Sequence, residues 1–137
     1  MSKNKIFYWI PTGLMCALMC MSAYMYLVQP ESVAVQDMYD IMGFPAWMIV
    51  PLGIAKLLGV IAIVTRLSDT LKEYAYAGFL FDFLMAIGAH VGVDTQDAEL
   101  IAAYGQEAVE SMKSPALAIG ATVLWFASKA LEKKAFG

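Results

Sequence analysis

With 137 residues the chain suits one compact domain. Apolar residues make up 61% of it and charged residues 15%, a balance that fits lipid better than water. A net charge of −3 with no basic stripe excludes a nucleic-acid partner, and two cysteines inside one apolar run exclude a secreted disulfide framework.

The first predicted element runs over residues 6–28, where no charge interrupts IFYWIPTGLMCALMCMSAYMYLV. A membrane-spanning helix needs about 20 apolar residues, so this stretch is long enough to cross. Lys3 and Lys5 before it resemble the start of a signal peptide, but the run is too long for that and no small-residue cleavage site follows. Cys16 and Cys20 stand four apart within it, a helical spacing that favours packing over a disulfide. In ESVAVQDMYDIMG, Val35, Met38, Tyr39 and Met42 form one helical face, which Gly43 ends and Pro45 stops. A second span is expected over 45–65, interrupted only by Lys56.

The short RLSDTLK turn reverses the chain into a third span over 73–93, with Asp82 and His90 inside it. Asp94 or Thr95 is expected to cap a second amphipathic piece carrying Ala98, Ile101, Ala102, Gly105 and Val109 on one side. Both pieces read as interfacial helices at the mouth of the bundle, or as a lid over a site. The fourth span, 114–131, opens on Ser114 and Pro115, a good cap and a tolerated first residue. The expected fold is all-α: an antiparallel, up-down bundle of four transmembrane helices with short amphipathic outer helices. In that layout Lys3, Lys5, Arg66, Lys72, Lys129, Lys133 and Lys134 share one side and Lys113 alone stands on the other. The bias predicts a multi-pass inner-membrane protein with both termini cytoplasmic.

A charge at mid-span is costly enough to need a reason. Positions 56 and 82 lie equally far from Asp69 in the turn, so Lys56 and Asp82 are expected at one depth, paired with each other. That pair reads either as a clamp on the hairpin or as part of a pocket opening outward. His90 lies two turns beyond Asp82, near its face, and fits a cavity-lining hydrogen-bonding role. No metal site is expected from a lone histidine. Gly53, Gly59, Gly78, Gly88 and Gly92 permit close helix approach, and Tyr8, Trp9, Tyr24, Tyr26, Trp47, Tyr74 and Tyr76 read mainly as aromatic-belt residues. No nucleophile elbow, phosphate-cradling loop or zinc motif appears.

The run KEYAYAGFLFDFLMAIGAHVGVD, residues 72–94, resembles the signature segment of the DoxX-like membrane proteins. The preceding GFPAWMIVPLGIAKLLGVIAIV, residues 43–64, is similar to that family's second span. Ala89 departs from the pattern, since many relatives place serine before the histidine. The resemblance implies a single domain over residues 1–137 and site residues Lys56, Glu73, Tyr76, Asp82 and His90, with Glu73 also able to pair with Arg66. It implies a membrane accessory subunit without established catalysis that supports a redox partner. The alternative is a site for a quinone or another lipophilic molecule. The redox cysteine pair of more distant four-helix relatives has no counterpart here, which places thiol chemistry in doubt. Beyond the lipid bilayer, the expected associations are a membrane protein partner or a second copy of the chain.

Overall fold

The computed structural model describes residues 2–136, apart from the side chains of Val33 and Ala34. It is helical: α1 (Lys3–Val28), α2 (Val33–Met42), a 3-10 turn (Ala46–Met48), α3 (Ile49–Thr65), α4 (Asp69–Val91), α5 (Ala98–Tyr104), α6 (Gln106–Ser111) and α7 (Ala116–Phe136). Four segments are long and apolar enough to cross a membrane, and they contain α1, α3, α4 and α7. Around the bundle, α1 packs against α3 and α7, and α4 packs against the same two helices. A core of Met15, Cys16, Met19, Val60, Ile63, Tyr76, Phe79, Phe83 and Ala121 draws on all four. Both cysteines are free.

Helix boundaries follow local capping. Ser68 accepts a hydrogen bond from the Leu71 amide at 3.3 Å, so α4 starts at Asp69 rather than 73 and takes Lys72 and Glu73 into its first turns. Arg66 adopts a left-handed φ of 52° between α3 and α4, leaving a link of only three residues, 66–68. At the other end of the bundle α2 forms as its spacing predicts, with Val35 and Tyr39 buried and Met38 and Met42 half-buried. Gly43 then turns left-handed (φ 78°), the Phe44 amide reaches back to the Tyr39 carbonyl at 2.9 Å, and the two rings meet. This is a Schellman stop with its hydrophobic contact.

The expected single helix after residue 94 is a correction. Gly105 takes φ 91°, ψ 153°, a region open to glycine alone, and breaks it into α5 and α6. The cap is Asp97, whose carboxylate accepts from the Glu99 and Leu100 amides. Asp94 instead bonds the Gln96 amide at 2.9 Å. Of the face expected there, Val109 is buried with Ile41 and Val93, while Ala102 is exposed.

The glycines also divide. A methyl group at Gly53 would meet Tyr26 Cβ at 2.9 Å, and one at Gly59 would meet the Phe79 ring at 2.5 Å, so both mark close approach. Gly78 and Gly88 face open space instead. Gly53→Ala is therefore expected to destabilise the α1–α3 contact by about 1–3 kcal/mol. Gly120→Ala, with nothing within 4 Å, should be neutral or stabilising by up to about 1 kcal/mol. Unfolding of the two variants in detergent checks the order.

Candidate functional site

The five residues singled out from the sequence fall into two separate groups. Lys56, Asp82 and His90 line one chamber in the half of the bundle away from the termini. Tyr76 and Glu73 belong to a polar network at the end that carries both termini.

In the first group, Lys56 is buried at mid-span on α3, and its Nζ lies 3.9 Å from Asp82 Oδ2 on α4. That separation is within Coulombic reach and beyond a direct hydrogen bond. The amine is held more closely from α1, donating to Ser22 Oγ at 2.7 Å and sitting 4.2 Å above the Tyr26 ring. The expected pair therefore exists, but loosely, with its cation tethered to a third helix.

Two cavities meet at this pair. One, of about 610 Å³, is an apolar cleft between α3 and α4 that runs from Lys56 and Asp82 past Gly59 and Phe79 to Leu67 and Ser68. Its lining includes Leu58, Ile61, Leu71 and Tyr74, which are well exposed on the bundle's flank, so the cleft opens sideways, where lipid would lie. The other, of about 260 Å³, is walled by α1, α3, α4 and α7 and roofed by Met38, Tyr39 and Met42 of α2, and it too reaches the flank, where Met85 and Leu117 are exposed. Met19, Leu52, Lys56 and Asp82 line both. The single outward-opening cavity expected between the second and third spans is thus two spaces, and the larger leads toward the 66–68 link. His90 lines the smaller chamber, its Nδ1 2.6 Å from the Met112 carbonyl oxygen. Burial holds the Tyr39 hydroxyl in the roof well above the usual tyrosine range, and the neighbouring Tyr26 acts in the same direction. On the outer face Tyr104 donates to Asp40 at 2.8 Å, tying α5 to α2 and raising the Tyr104 phenol's pKa.

The second group is a chain of hydroxyls. Arg66 Nη1 lies 3.1 Å from Tyr8 Oη, which is 2.8 Å from Tyr76 Oη. Tyr76 Oη is 2.6 Å from Ser128 Oγ, Ser128 Oγ is 2.5 Å from Thr12 Oγ1, and Thr12 Oγ1 is 2.7 Å from the Tyr8 carbonyl. A guanidinium only donates and a carbonyl only accepts, so the direction of every bond is set. Arg66 donates to Tyr8, Tyr8 to Tyr76, Tyr76 to Ser128, Ser128 to Thr12, and Thr12 to the backbone. All four hydroxyl residues are buried, and together they join α1, α4 and α7 to the 66–68 link.

Next to this chain Glu132 receives Arg66 at 3.0 Å, Lys72 at 2.9 Å and Lys129 at 3.0 Å. The expected pairing of Glu73 with Arg66 is not observed: Glu73 takes Lys129 at 2.8 Å and Lys72 at 3.3 Å. The reason lies in α7, which continues five residues past the expected end at 131 and brings Glu132 to the guanidinium first. Burial works against the Arg66 charge, but the Glu132 carboxylate outweighs it and raises the guanidinium pKa. Tyr76 is likewise not an aromatic-belt residue, being 1% exposed and bonded on both sides of its hydroxyl.

Sequence reading passed over Thr12, Ser22, Ser128 and Glu132. Glu132 hides in a basic run at a helix end, and hydroxyl residues within spans are too common to stand out. Their signal is spacing, since Tyr8 with Thr12, Lys72 with Tyr76, and Ser128 with Glu132 are each four apart on one helical face.

Ser128→Ala removes the middle of the hydroxyl chain and leaves the Tyr76 donor buried and unpaired, so it should cost about 1–3 kcal/mol of stability. Tyr74→Phe, at an exposed ring, should stay within about 0.5 kcal/mol. Glu132→Gln should exceed both, near 3 kcal/mol, because three cations lose their shared anion. Denaturant unfolding in one detergent ranks the three.

No curated protein and no solved structure gives a significant match to the chain. A profile of the DoxX-like family matches residues 10–106, from α1 through the start of α6, which includes Lys56, Glu73, Tyr76, Asp82 and His90. With most of its length matched and four apolar helices of spanning length, the chain belongs to the DoxX-like family of membrane proteins.

Proposed function

We propose that the protein binds a small lipophilic molecule with a polar head, of the quinone type, that reaches it from within the bilayer. The observation that carries this reading is the position of Lys56 and Asp82, an ion pair standing in the wall shared by an apolar cleft of about 610 Å³ and a second chamber of about 260 Å³. Apolar walls with a few convergent polar groups are the usual character of a small-molecule site. An apolar tail lies in the cleft between α3 and α4, and the head meets the ammonium and carboxylate where they border the chamber. The loose 3.9 Å separation suits this, because each charge keeps hydrogen-bonding capacity for a third party. An ionisable residue inside a span is by default a candidate functional group.

The basic residues at the terminus-bearing end support an inner-membrane orientation with both termini in the cytoplasm. The chamber then lies in the outer half of the bilayer beneath α2.

A Lys56→Met, Asp82→Leu double variant removes both charges together, so its stability should stay within about 1–2 kcal/mol of the parent. Its affinity for a short-chain quinone, read by equilibrium binding in nanodiscs, should fall at least roughly tenfold, the loss of one charged hydrogen bond. Unchanged affinity in a folded double variant would sink the reading.

A second reading, an accessory subunit supporting a redox partner, is favoured by the acidic outer surface of α5 and α6. Glu99, Glu107 and Glu110 are all exposed there. The expected result is co-purification of a defined membrane partner in mild detergent that charge reversal at these glutamates abolishes. A reproducibly solitary protein, or a partner indifferent to the reversal, removes this second reading and leaves the first untouched.

A further inference from the structure

The tautomer of His90 is set by its neighbour. Its Nδ1 stands 2.6 Å from the main-chain oxygen of Met112, and that oxygen only accepts, so Nδ1 carries a proton. The neutral ring therefore presents Nε2 as an acceptor. Among the described residues no buried side-chain nitrogen or oxygen lacks a partner, and Nε2 makes no protein hydrogen bond. Nε2 is then an accessible atom on a residue that lines the smaller chamber. The opposite end of the chamber presents the Lys56 ammonium, already tethered to Ser22, and beside it the Asp82 carboxylate. The rest of the lining mixes the rings of Tyr26, Tyr39, Phe44 and Phe83 with methionine, leucine and alanine side chains.

Resting on the lipophile-binding reading, we infer that His90 makes the chamber selective for ligands whose head carries a hydroxyl, the phenols and hydroquinones, over heads that offer oxygen acceptors alone. A hydroxylated ring donates to His90 Nε2 and, at its other oxygen, accepts from Lys56 and donates to Asp82, against a lining of aromatic and aliphatic side chains. Asp82 and His90 are eight residues apart on α4, about 12 Å of helix rise, which one ring spans once the Lys56 and His90 side chains reach in from either end. A head without a donor displaces the water that would satisfy Nε2 and gives nothing back. A site built to hydrogen-bond a hydroxyl rejects an analogue lacking it, because its own polar group is left unpaired. His90 is on this account a specificity-determining residue, and the preference belongs to the reduced form of a lipophilic quinone.

The test compares a decyl-substituted hydroquinone, kept reduced, with its dimethyl ether, by equilibrium binding to the full chain in nanodiscs. The wild-type protein is expected to prefer the hydroquinone by roughly tenfold, the factor one hydrogen bond supports. His90→Phe should lose most of the preference, keeping only what the Asp82 carboxylate supplies, and His90→Gln, which restores an acceptor, should recover most of it. Equal binding of the two probes by the wild type overturns the hydroxyl selection while the lipophile site stands, and that measurement needs no variant to fold. A preference that survives intact in His90→Phe comes from Asp82 or from the bulk of the added methyl groups and overturns the role of His90. If the wild type binds neither probe nor the quinone, the lipophile site fails and the inference with it.

Discussion

Hydrocarbon supplies no hydrogen bonds, so every polar side chain carried into a span must find its partner within the protein. This constraint organises the terminus-bearing end of the bundle. One donor-only group, the Arg66 guanidinium, and one acceptor-only group, the Tyr8 carbonyl, fix the direction of five successive hydrogen bonds through Tyr8, Tyr76, Ser128 and Thr12. A chain of this kind polarises each member in the same sense and has no alternative arrangement of equal quality. It therefore sets the register of α1, α4 and α7 more narrowly than apolar packing among methionines does, since methionine adapts to many shapes. The unusual backbone of Arg66, left-handed without being glycine, follows from this. Its guanidinium is held at once by Tyr8, Glu132 and the face of Phe136 at 3.7 Å, which offsets a strain of about 1–2 kcal/mol.

The same constraint is met differently at mid-span. Lys56 has its closest hydrogen bond from α1, through Ser22, and its formal counter-ion on α4 is a full ångström more distant. Cation–π contact with Tyr26 spreads the charge further. The ammonium is thus adequately housed whether or not Asp82 is close, and Asp82, at 30% side-chain exposure, borders free space. The terminus-bearing end is cross-bonded among α1, α4 and α7, while one cavity lies beneath the short amphipathic roof and the larger cleft runs between α3 and α4 toward the 66–68 link. Stability drawn from the cross-bonded network permits looser packing around the cavities.

Much of this architecture is legible in the sequence because lipid imposes simple rules. Length and apolarity mark the spans, and Ser2, Ser68 and Gly43 act at helix ends as their residue types dictate. The match in depth between Lys56 and Asp82 follows from counting residues on either side of a tight turn. What the residues do not announce is rotation about each helix axis. Tyr76 and Tyr74 are equally plausible belt residues by composition, yet one is buried and bonded and the other exposed. Glu132 is invisible for a related reason: its significance depends on α7 running on past Leu131 and on which carboxylate reaches Arg66 first. The break at Gly105 shows the converse, where a helical pattern is overruled by one residue able to adopt a backbone that others cannot.

Division of the five family-pattern residues between two sites bears on where chemistry can occur. Tyr76 has its hydroxyl taken up by Tyr8 and Ser128, so a ligand could engage it only by breaking a satisfied network, and Glu73 is held by Lys129 and Lys72 at the exposed end of the bundle. Lys56, Asp82 and His90 retain capacity and border open volume. A buried polar group with spare capacity next to a cavity is unfavourable unless something enters to use it. A membrane protein under no demand for binding would gain by filling that space with apolar side chains. Lys56 and Asp82 stand where the two cavities meet and His90 lines the smaller one, so the three matched residues that border a cavity are also the ones least constrained by other side chains.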